Sequence, residues 1–195
     1  MDNQINEVTI VGGGTAGWLA AAFLVRFMNL RNEENPTKVT LIESPNVPTI
    51  GVGEATVPTM AALLKSLGIS EKEFFIRCNA SFKMGVRFTN WSHDEKGQAT
   101  SFIHPFEAIR TQLAGQNPAY HFHKYGGPPG RQGIDDCMSF SGAAIKRKLG
   151  PKFLTHGDYE TQLNYAYHLD AGKFAEFLRE ISIERGVNHV LDDVE

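Results

Sequence analysis

Apolar and polar positions change period several times along this chain, and the order of the changes predicts strands alternating with helices, an α/β arrangement. Residues 8–11 are a β-branched run that ends at Gly12. An Ala- and Leu-rich segment at 18–30 has helical spacing, and residues 38–42 read as a second apolar strand after the turn cluster 32–36. Together these make one β-α-β unit. Glycine and proline recur across 45–58, residues 59–67 read as a helix that Gly68 stops, and Ser70 with Glu73 forms a capping box for the next helix. Phe82, Met84, Val86 and Phe88 then alternate with Lys83, Gly85, Arg87 and Thr89, a strand with one apolar face. Lys83 points away from that face, and Arg87 beside it is read as structural. Residues 92–99 are polar and loop-like, and 126–133 form a second connection. Between and after these connections no period is sustained until Asp170. There an N-cap opens a helix whose Phe174, Phe177, Leu178 and Ile181 share one face, Gly186 follows its end, and 187–194 read as a strand.

Composition narrows the function class. With 195 residues, 42% of them apolar, the chain can bury the core of one domain, or of one domain and part of a second. A net charge of -3 with Lys and Arg scattered among acids gives no basic stripe, so nucleic acid is not an expected partner. The apolar stretch 8–28 is broken by four glycines and preceded by Asp2 and Glu7, which is neither a signal peptide nor a membrane span. Cys78 and Cys137 stand far apart, without a disulfide framework or zinc knuckle, so a reducing cytoplasm is expected. His121 and His123, read as lone histidines in a strand without a carboxylate partner, do not make a metal site.

Gly12-Gly13-Gly14-Thr15-Ala16-Gly17 is a G-x-G-x-x-G turn between a predicted strand and a predicted helix. Gly12 permits the tight turn, Gly14 admits a pyrophosphate close to the backbone, and Gly17 lets the helix pack near the strand while its N-terminus faces negative charge. Glu43, closing the second strand, is placed to accept hydrogen bonds from ribose hydroxyls and to repel a 2′-phosphate. Gly12, Gly14, Thr15, Ala16, Gly17 and Glu43 are therefore the candidate dinucleotide contacts. The plainer alternative is a Gly-rich turn without a ligand, and the motif alone does not separate FAD from NAD.

A second box, Gly51-Val52-Gly53-Glu54-Ala55-Thr56-Val57-Pro58, has no counterpart in a generic NAD domain. GGGTAGW at 12–18, GVGEATVP at 51–58 and NASFK at 79–83 resemble, in order and spacing, the flavin-dependent tryptophan halogenases. The likeness continues through YHLD at 167–170 and ERGVN at 184–188, and is loose across 112–164. The resemblance implies an FAD-binding Rossmann-type α/β fold, of the glutathione-reductase and hydroxylase kind, with inserted substrate-side segments. It divides the chain into a first unit and strap at 1–58, an inserted segment carrying the lysine at 59–165, and a return to the FAD-binding domain at 166–195.

The resemblance also implies the site. Gly53, Glu54 and Ala55 belong to a strap joining flavin site to substrate site, and Val194 meets the adenine through its backbone. Lys83 is the catalytic lysine, which directs hypohalous acid either as a hydrogen-bond donor or as a haloamine, roles that suit a flexible ammonium. On the residues alone, a solvated lysine on the polar face of a strand is much the commoner case. His104 and Phe106 match the residues that pack on the substrate ring, although Pro105 and Glu107 depart from the usual pattern, which puts free tryptophan in doubt as the substrate. Without the resemblance, residues 102–106 read as a buried strand with a satisfied histidine. FAD supplied as FADH2, with chloride or bromide, an indole-like aromatic substrate, a separate flavin reductase and a second copy of the chain complete the expected cofactors and partners.

Family members are more than twice this length and carry a W-x-W-x-I-P motif, whereas this chain has only Trp18 and Trp91. The expectation is a fragment that does not halogenate by itself and whose uncovered sheet edge lowers solubility. Two other readings stay open: an FAD-dependent aromatic monooxygenase, and a non-catalytic flavoprotein remnant.

Overall fold

The computed structural model of the chain describes residues 5–29, 36–48, 51–107, 118–127 and 133–194. Residues 32–35 of the expected turn, the end of the first helix at Leu30 and most of the connection at 126–133 lie outside those residues. In chain order the elements begin β1 (Glu7–Val11), α1 (Thr15–Asn29), β2 (Lys38–Glu43), β3 (Gly53–Ala55), α2 (Thr59–Ser66) and α3 (Glu71–Arg77). They continue β4 (Ser81–Lys83), β5 (Gly85–His93), β6 (Ala99–Pro105), α4 (Pro118–Tyr125), α5 (Ile134–Met138) and α6 (Phe140–Lys146). The last three are β7 (Ala166–Asp170), α7 (Ala171–Glu184) and β8 (Asn188–Leu191).

Two compact units share the chain: one holds residues 1–55, 63–81 and 168–195, the other 56–62 and 82–167. The first contains a parallel three-stranded sheet in the order β1-β2-β8, with Val11 beside Ile42 and Glu43 beside Leu191. This is the α/β arrangement that the opening strand-helix-strand pattern predicts. Trp18, Ala21, Ala22 and Val25 of α1, Val39 and Leu41 of β2, and Phe174, Phe177 and Leu178 of α7 are buried in its core. Helix α1 starts at Thr15, three residues earlier than its apolar spacing predicts, because packing of the turn overrides the poor helix propensity of Gly17. Ser70 caps α3, its Oγ accepting from the Glu73 N–H, and Asp170 caps α7 by accepting from the Lys173 N–H at 3.0 Å. The last strand is shorter than the expected 187–194 and leaves Val194 beyond its end.

In the second unit the expected continuous strand at 82–89 is interrupted at Met84, and β5 runs on through His93, so the turn after it spans only 94–98. Two features bend this strand: a register shift between Phe88 and Ser92, and Asn90 in the left-handed region at φ 53°. At Gly85 a Cβ would lie 2.6 Å from the His104 carbonyl oxygen, so glycine lets β6 approach. The ribbon is less buried than its apolar content suggests: Phe102 is 45% exposed and His104 is exposed, which corrects the buried-strand reading of 102–106. His121 and His123 lie on helix α4, not in a strand, and a spacing of two does not place them on one helix face. Among the described residues no helix is long and apolar enough to cross a membrane.

Candidate functional site

The carboxyl ends of parallel strands are where an α/β sheet leaves a crevice for ligands. Here a pocket of about 490 Å³ opens between Gly12, Gly13, Gly14 and Thr15 after β1, Ile42 to Ser44 at the end of β2, and Asp192 and Val194 after β8. Gly12 takes φ 111°, which L side chains rarely adopt, and its N–H donates to the Ile42 carbonyl at 2.8 Å. A Cβ on Gly14 would meet nothing within 4 Å, so the backbone there is open to a closely bound group. A Cβ on Gly17 would run into the Gly12 carbonyl, which accounts for the close packing of α1 on the turn. Ala16 is exposed in the first helical turn, and neither it nor Gly17 lines the pocket.

Glu43 does line it, but not as a free carboxylate. Its Oε1 accepts from His189 Nε2 at 2.8 Å, and a Cβ on Gly13 would fall on the carboxylate, so the acid is seated over the glycine backbone. Beyond Glu43 the wall of the pocket is a pinned turn. Ser44 Oγ accepts from the N–H groups of Asn46 and Val47 at 3.0 and 3.2 Å and donates to Asp193, whose other carboxylate oxygen accepts from Asn46 Nδ2 at 2.7 Å. The hydrogen bonds from Ser44 and then Asn46 hold the Asp193 carboxyl below the usual carboxylate range. The sequence did not reveal Ser44, Asp192, Asp193 or His189. Ser44 and Asp192 could have been found from the rule that ligands sit past strand ends, whereas the Glu43–His189 pair spans 146 positions and carries no local signal.

Gly53, Glu54 and Ala55 are exposed on β3, which pairs antiparallel with β7 from Gly53 beside Asp170 to Ala55 beside His168. They do not line the pocket. Their strap is nonetheless tied back to the phosphate-type turn: the Ala171 N–H donates to the Val52 carbonyl at 3.1 Å, and Thr15 Oγ1 donates to the Ala171 carbonyl at 3.5 Å.

In the other unit, Thr56 locks onto β7. Its N–H donates to the Tyr167 carbonyl at 2.8 Å, and its Oγ1 accepts from the Tyr167 N–H at 3.0 Å. The Thr56 carbonyl in turn accepts from Lys83 Nζ at 2.9 Å, and that ammonium sits 5.2 Å from the centre of the Phe106 ring. An ammonium within about 6 Å of an aromatic centroid is attracted to it. Lys83 is half-buried and is held on a backbone oxygen of the second glycine box and over an aromatic face, not freely solvated on a strand. Phe106 is itself fixed, its N–H donating to the Met84 carbonyl at 3.0 Å and its carbonyl accepting from Asn164 Nδ2 at 3.1 Å. Glu107 has a structural use: its Oε2 accepts from Ser139 Oγ at 3.1 Å and the Ser141 N–H at 2.8 Å, at the start of α6. Among the described residues no group of three or more metal-binding side chains converges.

The chain is similar to proteins of one family. The tryptophan halogenase family model matches residues 7–195. The tryptophan 6-halogenase ThaL of Streptomyces albogriseolus is 38% identical over the whole chain, and the tryptophan 7-halogenase RebH of Lentzea aerocolonigenes 34%. The chain spans 37% of the length of each. Among solved structures, a tryptophan halogenase from Shewanella frigidimarina superposes with a TM-score of 0.84 at 37% identity, covering 100% of this chain and 38% of that one. A flavin-dependent halogenase from Xanthomonas campestris gives 0.76 at 33% identity, covering 97% and 36%.

Proposed function

Since this chain belongs to the tryptophan halogenase family, we propose that the protein carrying it is an FAD-dependent halogenase acting on an indole-like aromatic, with Lys83 directing the halogen. One observation carries the reading: Lys83 Nζ is anchored to the Thr56 carbonyl of the second glycine box while facing the Phe106 ring. The pocket at Gly12 to Thr15 suits the cofactor, because the open backbone beside Gly14 accepts a pyrophosphate and the Glu43 carboxylate disfavours a 2′-phosphate. Val194 and Asp192, which line that pocket, are the adenosine contacts in this reading, and Gly53, Glu54 and Ala55 are the strap residues that directly precede Thr56 in the sequence.

Gly12 to Thr15 and Glu43 would hold FAD, which, when delivered reduced by a separate flavin reductase, would supply with dioxygen and chloride or bromide a hypohalous oxidant. Lys83 then binds it. An ammonium has three N–H groups, one of which is committed to Thr56, leaving donors for the oxygen of the hypohalous acid. As the ring carbon attacks the halogen, the halogen–oxygen bond breaks, Lys83 gives a proton to the departing hydroxide to form water, and the proton released from the ring replaces it. Phe106 supplies an aromatic wall that steers the ring, and His104, two positions earlier, is the second substrate contact in this reading.

The test is Lys83→Ala in the complete gene product, assayed with reduced FAD, bromide and an indole substrate. Halogenated product should fall by roughly 10²-fold or more while flavin oxidation and FAD affinity stay at wild-type levels. Undiminished halogenation, or a hydroxylated ring from the wild-type protein, would overturn the proposal, the second outcome pointing to a monooxygenase.

A further inference from the structure

A carboxylate expected to read ribose hydroxyls needs its own orientation fixed, and in the first unit two contacts converge on Glu43 while a third steadies its partner. Its Oε1 accepts from His189 Nε2 at 2.8 Å, and because a carboxylate only accepts, the imidazole carries its hydrogen on that nitrogen. The carboxylate is seated over Gly13, where only a glycine leaves room. His189 is steadied in turn by the Trp18 ring, which meets it edge-on at 5.1 Å from helix α1. Both partners are largely shielded, with side chains 20% and 15% exposed. The pairing follows from register: Glu43 lies beside Leu191, so His189 is its diagonal neighbour on the same face of the sheet, within reach of a long side chain.

We infer that His189 is a positioning residue for the adenosine ribose, acting through Glu43 without touching the ligand. The inference rests on reading the pocket at Gly12 to Thr15 as the FAD site. With its carboxylate already locked, Glu43 accepts ribose hydroxyls without first losing rotamer freedom, and that saving appears as affinity. His189 is absent from the pocket lining, so its effect on a nucleotide is indirect.

The experiment measures the Kd of ADP by titration calorimetry for the wild-type chain, His189→Ala, His189→Gln, Glu43→Ala and the His189→Ala/Glu43→Ala double variant, with circular dichroism checking each fold. His189→Ala should weaken ADP about fivefold to tenfold. His189→Gln, whose amide can donate to the same oxygen, should stay within about twofold of wild type. In the Glu43→Ala background, removing His189 should cost nothing further, since its only route to the ribose is gone. Equal losses in both backgrounds would mark His189 as merely structural and end the inference, as would an unchanged Kd for His189→Ala. Should His189→Ala fail to fold, His189→Gln against the shorter His189→Asn asks the same question, with loss of affinity expected in Asn alone and parity between them counting against it. A wild-type chain that binds neither ADP nor FAD would instead remove the FAD reading itself, an outcome seen before any variant is compared.

Discussion

Two of the chain's potential nucleophiles are placed very differently, and burial decides between them. Cys78 is fully enclosed at the end of α3, and loss of solvation pushes its thiol up to about 12 against the opposing charge of the nearby Arg77. Since the ordinary value is 9.0, its thiolate population near neutral pH is roughly a thousandfold below that of an ordinary thiol. Cys137 is only half-buried. Iodoacetamide at pH 8 should therefore modify Cys137 first and leave Cys78 intact until the protein is unfolded, which peptide mass spectrometry can follow. Early alkylation of Cys78 in the folded protein would show that the core around Phe74 and Phe174 opens readily. At this scale the sequence pointed to residues that line the pocket more readily than to their hydrogen-bond partners. Gly12, Gly14 and Glu43 were legible because they lie within one β-α-β unit, where spacing fixes geometry. The Thr56 carbonyl under Lys83 and the imidazole beside Glu43 were not, because contacts across 27 and 146 positions arise only when the chain folds back on itself.

Short elements show why the pattern of apolar positions reads some segments and misses others. Helices α1 and α7 are 15 and 14 residues long, enough turns for a buried stripe to repeat, and both were anticipated, α7 from its Asp170 cap onward and α1 apart from its first three residues. Helices α4, α5 and α6 have 8, 5 and 7 residues, about two turns or fewer, so no period can establish itself in the sequence. The turn after β2 is likewise invisible as a pattern, yet it forms part of the pocket wall and hangs on a single residue from the other end of the chain. Asp193 is a better acceptor when ionised, and the Ser44 and Asn46 donors lower its pKa in the folded state. A lowered folded value means that the clamp contributes above the unfolded carboxylate range and is lost as pH falls through the folded value. Amide exchange at Asn46 and Val47 should accordingly show protection near neutral pH that disappears under acid conditions, after correction for the intrinsic rate. Asp193→Ala should abolish that pH dependence. Persistence of the dependence in the variant would assign the ordering of the turn to another group.

For the molecule as a whole, the division of labour follows the division of the chain. Every residue lining the pocket at the strand ends belongs to the unit formed by 1–55, 63–81 and 168–195, whereas Thr56, Lys83 and Phe106 belong to the other. The second glycine box straddles the boundary, with Ala55 in one unit and Thr56 in the other, so the unit that holds the pocket passes directly in sequence into the unit that holds the lysine. ADP has no isoalloxazine ring and should bind the first unit alone. A ligand at about a hundred times its Kd stabilises the state that binds it by roughly 2.7 kcal/mol, which slows exchange through unfolding about a hundredfold. Hydrogen exchange with saturating ADP should therefore show that slowing in β1, β2, β8 and α1, while amides of β5 and β6 change by less than about twofold. Lys83→Ala should leave the whole effect intact. If β5 and β6 were slowed as much as the sheet, the two units would open and close together, and nucleotide binding could no longer be assigned to one half of the chain independently of the residues that hold the lysine.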